Sequence, residues 1–142
     1  MRMPALLIAA LLPLLALAAD ETPLPATVDS LQIIELTEGT GTEARPGNTV
    51  VVHTPGWLSD PPAEEGKGKT VDSSVDRGRP FDWPLGAGRV LRGWDAGVAG
   101  MQAGGKRRLI IPPDMGYGQR GAGRVIPPGA TLLFDVELLD VR

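Results

Sequence analysis

Three segments of the chain concentrate side chains able to hold and polarise a small polar group. They are Val71–Gly86 (VDSSVDRGRPFDWPLG), Val90–Val98 (VLRGWDAGV) and Gly116–Leu139, which opens with GYG and closes with VIPPGATLLFDVELL. Their acidic, aromatic and branched apolar residues follow an order from which one small sheet could build a single shallow pocket. The usual machinery of covalent and metal chemistry is missing around them. The chain has no cysteine, His53 is its only histidine, and Ser30, Ser59, Ser73 and Ser74 lie outside any G-x-S-x-G elbow. No histidine or carboxylate cluster has metal-ligand spacing, so neither metal nor cofactor is expected. The pairs Gly86/Gly88, Gly116/Gly118 and Gly121/Gly123 lack a dinucleotide or P-loop frame and read as turns. His53, alone inside a β-branched strand, reads as a structural residue. What remains is non-covalent chemistry: an apolar cup with a few fixed polar groups, acting through shape and electrostatics. Tyr117, the single tyrosine, sits between two glycines, which cost stability unless the backbone needs them there.

The elements that must position these residues are short. Leu31 to Leu36 reads as a strand, and Pro46-Gly47 as the centre of a type II turn. Thr49 to His53 is a β-branched strand. Ser59 to Thr70 (SDPPAEEGKGKT) is a loop by its turn chemistry. Val71–Val75 and Phe81–Leu85 read as short strands around the turn Asp76–Arg79. Trp94, Val98 and Met101 share one face of a short helix that Gly104-Gly105 would end. Lys106 to Ile111 is a further strand, with Lys106-Arg107-Arg108 read as a solvated face. Asp114 to Gly129 is a loop, and Leu132 to Leu139 alternates with period two. The expectation is an α+β fold: a curled antiparallel sheet of five to six strands wrapped around one short α-helix.

Residues 1–18 have the layout of a secretory signal peptide: Arg2, an apolar run from Leu6 to Leu17, and a small-x-small ending at Ala16-Leu17-Ala18. A flexible lead is expected over residues 19–30 and one domain over 31–142. Export is expected from the signal, with a bacterial periplasm the best fit among exported compartments. A cysteine-free domain must then be held by packing alone. The whole chain carries a formal charge of −3, and removing residues 1–18 makes the remainder one unit more negative. That balance offers no attraction for nucleic acid or anionic lipid, so neither is expected as a partner, nor is a membrane once the signal is cleaved. No dimerisation segment is visible, and a monomer is expected.

In order and spacing the three segments resemble the FK506-binding-protein family of peptidyl-prolyl cis–trans isomerases, and the resemblance covers residues 31–142. It implies rotation about Xaa-Pro bonds, a reaction that breaks no covalent bond. The barrier of about 20 kcal/mol is the amide resonance lost on twisting. A twisted amide is less polar at its carbonyl, and its pyramidal nitrogen can accept a hydrogen bond, so a dry cup can favour it over the planar state. The resemblance makes Trp94 the floor of that cup, Phe81 and Phe134 its aromatic walls, and Val90, Leu91 and Ile126 its aliphatic ones. It gives Tyr117 a hydroxyl facing the bound carbonyl, Asp72 the pocket carboxylate, and Arg77 a role on the acidic side. The Ile126 N–H becomes a donor to ligand. Asp72, Tyr117, Trp94, Ile126 and Phe134 are thus expected to carry catalysis. Phe81, Arg77, Val90, Leu91, Val71 and Thr54 are expected to contact substrate.

The chain departs from the family pattern at two walls. Thr54 stands where the family places tyrosine, and Val71 where it places phenylalanine before the aspartate. Met115 and Ala122 are also softer or smaller than is common, and the Ser59–Thr70 connection is longer, close enough to cover the altered wall or meet a partner. The expectation is an isomerase of modest, reduced activity acting on proline-containing clients during folding of exported proteins. FK506- or rapamycin-type macrolides would bind with weakened affinity. The alternative is a binding module or chaperone on the same fold, with little or no rate.

Overall fold

The period-two run that begins at Leu132 is the strand around which the fold is built. In the computed structural model, which describes residues 30–74 and 77–142 apart from the Asp72 side chain, this strand is β7. The expected signal over residues 1–18, the lead up to Asp29, and Val75 and Asp76 lie outside the described residues. To introduce the elements in chain order, the strands are β1 (Gln32–Thr37), β2 (Thr49–His53), β3 (Pro55–Ser59), β4 (Lys67–Ser73) and β5 (Phe81–Pro84), followed by the helix α1 (Arg92–Val98), then β6 (Lys106–Ile111) and β7 (Leu132–Val141). β7 pairs antiparallel with β6 on one side and with β2 and then β3 on the other. β1 adds to β6, β5 to β2, and β4 to β3, giving a seven-stranded antiparallel sheet around one helix.

The sheet has more strands than the sequence marked, and β3 accounts for the difference. Pro55 and Gly56 disguise it, yet only Thr54 separates it from β2. The two run on along β7, with His53 opposite Glu137 and Gly56 opposite Phe134. β3 also gives Lys67–Thr70 a partner, so the expected loop from Ser59 to Thr70 is corrected: its last four residues belong to β4. The Pro46-Gly47 turn forms as expected. Asn48 N–H closes it onto the Arg45 carbonyl at 3.0 Å, and Gly47 has φ of +99°.

The helix shows how packing overrides propensity. Seven residues are too few for a stable isolated helix, and two are glycines. Gly93 and Gly97 face the sheet so closely that a Cβ at Gly97 would meet Leu109 at 2.6 Å and one at Gly93 would meet Ile111 at 2.7 Å. The backbone therefore lies directly on β6, and α1 completes a core with Val50, Val52, Leu132, Val136 and Leu138. The helix ends at Val98, not at Gly104-Gly105. Met101 thus falls beyond it, although still buried.

The basic run on β6 is corrected as well. Arg107 Nη1 donates to the carbonyls of Gly97 and Ala99, each at 3.0 Å, placing a cation at the C-terminal end of α1. Its Nε binds Glu35 on β1 at 3.0 Å. Arg108 clasps Asp135 of β7 with bonds of 2.7 and 2.9 Å, and Glu65 and Lys67 close the cluster. Burial pushes the Asp135 carboxyl up, but hydrogen bonds and charge from Arg108, with Lys67, more than offset it and hold it below the usual carboxylate value. The bond to Asp135 in turn raises the Arg108 guanidinium. This face of the sheet lies outside the walls of the main cavity, and no residue of the 59–70 connection lines that cavity.

Candidate active site

Four aromatic rings converge where α1 meets the sheet. Trp94 opens the helix and lies edge-on to Phe134 of β7 (5.1 Å between centroids, 88° between planes) and to Phe81 of β5 (5.5 Å, 70°). Edge-to-face contacts of this kind match the positive rim of one ring to the negative face of the next. Trp83 buttresses both Phe81 and Trp94 at 5.6 and 5.4 Å. Over this cluster opens a cavity of about 560 Å³, a size suited to a small segment of ligand.

The structure brings most of the expected residues to that cavity. Phe81, Trp94 and Phe134 line it with Val90, Leu91 and Ile126, and Val71, Arg77 and Tyr117 complete the expected set. Tyr117 is 40 % exposed, so its ring and hydroxyl reach the opening and are not spent on packing. Asp72 is placed on β4 with its backbone opposite Gly56, while its side chain lies outside the described residues. Thr54 stands apart. It is buried at 3 % exposure and absent from the wall, and its Oγ1 finds no hydrogen-bond partner among the described residues. Ser74 Oγ instead accepts the Thr54 backbone N–H at 2.9 Å and lies 3.0 Å from His53 Nδ1, which gives the lone histidine its partner.

One expected ligand donor has a partner within the fold. The Ile126 N–H already donates to the Ala122 carbonyl at 3.1 Å, while the Ala122 N–H donates to the Ile126 carbonyl at 2.8 Å. This small closed turn holds Ile126 against the cavity, and a ligand carbonyl must compete for the donor. The loop is further pinned by Gly118 N–H on the Pro113 carbonyl (2.7 Å) and Gly129 N–H on the Gly118 carbonyl (2.9 Å). At the floor, Trp94 Nε1 is buried without a hydrogen-bond partner among the described residues.

Several participants escaped the sequence reading. Arg89 and Val125 line the cavity, and so does Ala122. Asp95 is a positioning residue. One oxygen accepts Trp83 Nε1 at 3.0 Å and the Gly86 N–H at 2.9 Å, and the other accepts the Gly88 N–H at 3.0 Å. A single carboxylate thus ties the Trp83 indole and the loop leading to Val90 and Leu91 onto the first turn of α1. The available signal was an aspartate following the floor tryptophan, close to a Gly-Ala-Gly turn with free N–H groups. Met115 packs against the core and is not part of the wall.

Chemically, the site is a half-open apolar cup on a rigid aromatic base, with a phenol and guanidinium groups at its rim. A family profile described as FKBP-type peptidyl-prolyl cis-trans isomerase matches residues 40–139. An FK506-binding protein of Neisseria meningitidis serogroup A is 54% identical over 112 residues, covering 79% of this chain and 96% of that protein. Among solved structures, that of AtFKBP13 superposes with a TM-score of 0.68 at 39% identity, covering 79% of this chain and 93% of the other. FkpA from Escherichia coli gives 0.70 at 38% identity, over 88% of this chain and 54% of that one.

Proposed function

The chain belongs to the FKBP-type peptidyl-prolyl cis–trans isomerase family, and from that premise we propose that it speeds rotation of Xaa-Pro bonds in exported proteins as they fold. The observation that carries the reading is the cup itself. An apolar floor and walls are fixed by edge-to-face packing, and Tyr117 stands at the mouth. Proline's ring fits an apolar cavity of this size, and desolvating the preceding amide favours its less polar, twisted form over the planar one. Tyr117 is assigned to orient the substrate carbonyl, and Asp72 to supply the pocket carboxylate. Trp94, Phe134 and Ile126 hold the twisted amide, while Phe81, Arg77, Val71, Val90 and Leu91 grip the flanking chain. Thr54 acts behind this set through the backbone it shares with Ser74.

The proposed setting is the bacterial periplasm, reached through the signal-like segment at residues 1–18, with the protein acting as a monomer on proline-containing clients. Macrolides of the FK506 or rapamycin kind bind with weakened affinity because Val71 leaves one wall aliphatic. A second reading, binding of proline segments without useful rate, is favoured by the same Val71 and by the absence of Thr54 from the wall.

Exchange spectroscopy on a panel of Xaa-Pro peptides separates the two readings. Acceleration that falls about tenfold in both Tyr117→Phe and Asp72→Val, the loss of roughly one hydrogen bond at the transition state, supports the isomerase. Binding without acceleration by the folded wild-type protein supports the module.

A further inference from the structure

The arginines among the described residues differ in what holds them. Arg45, Arg107, Arg108 and Arg142 each pair with a carboxylate, and Arg92 donates to the Asp114 carbonyl. Arg89, Arg120 and Arg124 are exposed and make no ion pair among the described residues. Of the three, Arg89 lines the cavity beside Val90, while Arg120 and Arg124 lie on the loop between the lining residues Tyr117 and Val125 without lining it themselves. Arg79, in the turn before Phe81, is likewise exposed and makes no ion pair among the described residues. Arg77 has an interaction of its own and is not needed here. The carboxylate next to the floor, Asp95, is occupied by three N–H groups.

We propose that Arg89, Arg120 and Arg124 form a cationic rim that selects clients with aspartate or glutamate next to the proline. The inference rests on the reading above that a proline segment occupies the cavity. A guanidinium presents a planar fork of donors that matches a carboxylate, and three without a carboxylate partner among the described residues leave that capacity unused. The chain as a whole is acidic, with a formal charge of −3, and repels acidic peptides at a distance. Beyond about 8–10 Å that repulsion is screened at physiological salt, so the local rim decides the outcome at contact.

The test uses the protein with matched peptides carrying Glu, Leu or Lys beside proline. Affinity is read from tryptophan fluorescence and rate from exchange spectroscopy, at low salt and at about 0.5 M salt. The expected result is a preference for Glu over Lys of about threefold or more, as for one or two exposed ion pairs. It should shrink toward unity at high salt and in the double variant Arg89→Gln/Arg124→Gln, with far-UV circular dichroism confirming the fold. Equal affinity for Glu and Lys peptides, or a preference untouched in the variant, overturns the proposal. Acidic preference in binding with no acceleration of any peptide supports the rim and counts against the isomerase reading.

Discussion

Trp83 Nε1 donates to Asp95 Oδ1 across 3.0 Å, joining β5 to the first turn of α1 behind the floor of the cavity. The same carboxylate holds the Gly86 and Gly88 N–H groups. One side chain therefore fixes both the aromatic base and the loop that presents Arg89, Val90 and Leu91. Hydrogen bonds to a charged acceptor are worth roughly 1.5–3 kcal/mol each when a partner is left stranded. Asp95→Ala should lower stability by about 2 kcal/mol and kcat/KM by about tenfold, on that scale. Asp95→Glu should recover part of the activity. Denaturant midpoints and peptide kinetics check this, and full activity in the alanine variant would refute the positioning role.

Gly97→Ala sets two effects against each other. Alanine gains up to about 1 kcal/mol in a helix interior, but the new methyl would stand 2.6 Å from Leu109. Overpacking a rigid core costs about 1–3 kcal/mol, so net destabilisation is expected, with Gly93→Ala behaving alike against Ile111. A raised melting temperature in either variant would show that the helix can lift from β6 at no cost.

A Cβ at Gly56 would collide with the ring of Phe134. Phe134 cannot retreat into the core that surrounds it, so Gly56→Ala should push it toward the cavity. The expected outcome is a greater loss of kcat/KM than of stability, with a shifted Trp94 fluorescence because the two rings touch. An unchanged spectrum and rate would mean that the ring finds another rotamer.

Thr54 Oγ1 is buried with no partner among the described residues, and stranding a hydroxyl costs about 1–3 kcal/mol. Thr54→Val keeps the shape and the backbone bond to Ser74. It should stabilise the protein by about 1 kcal/mol on that scale, read as a higher urea midpoint. Destabilisation would imply a bonded hydroxyl.

Asp135 has a folded-state pKa held below the ordinary carboxylate value, against the opposing effect of burial, by Arg108 and Lys67. A depressed folded value means that the carboxylate contributes stability above its unfolded pKa of about 3.9. That contribution is lost as the pH falls through the folded value. In Asp135→Asn the loss should be present at neutral pH and should vanish toward low pH, where wild type and variant converge. Urea midpoints measured from neutral to strongly acidic pH test this, and parallel curves would exclude the linkage.

Much of the cavity was legible in the sequence through the family resemblance carried by its three segments, with local alternation adding support. The alternation from Leu132 places Phe134 on the core face, and an aromatic at the head of a short helix points at that face. β3 was hidden because Pro55 and Gly56 read as a turn, and the hydrogen-bonding partner that makes them a strand is β7, far along the chain. Lys106-Arg107-Arg108 looked like a solvated run. Two of its members became a helix cap and a clasp only once α1 and β7 were placed beside β6.

By itself the sequence carried the resemblance to the fold family, through three motifs in order, and supplied the apolar and aromatic residues of the cup, because motif order and residue type are local properties of the chain. Tertiary structure alone decided which polar groups are spent and which are free. It closed the Ile126 N–H onto Ala122, buried Thr54 away from the wall, engaged Asp95 with three donors, and left Arg89 in the cavity wall without an ion pair among the described residues. The reason is physical. Hydrogen bonds and ion pairs act over a few ångströms, so their partners are chosen by which distant segments packing brings together.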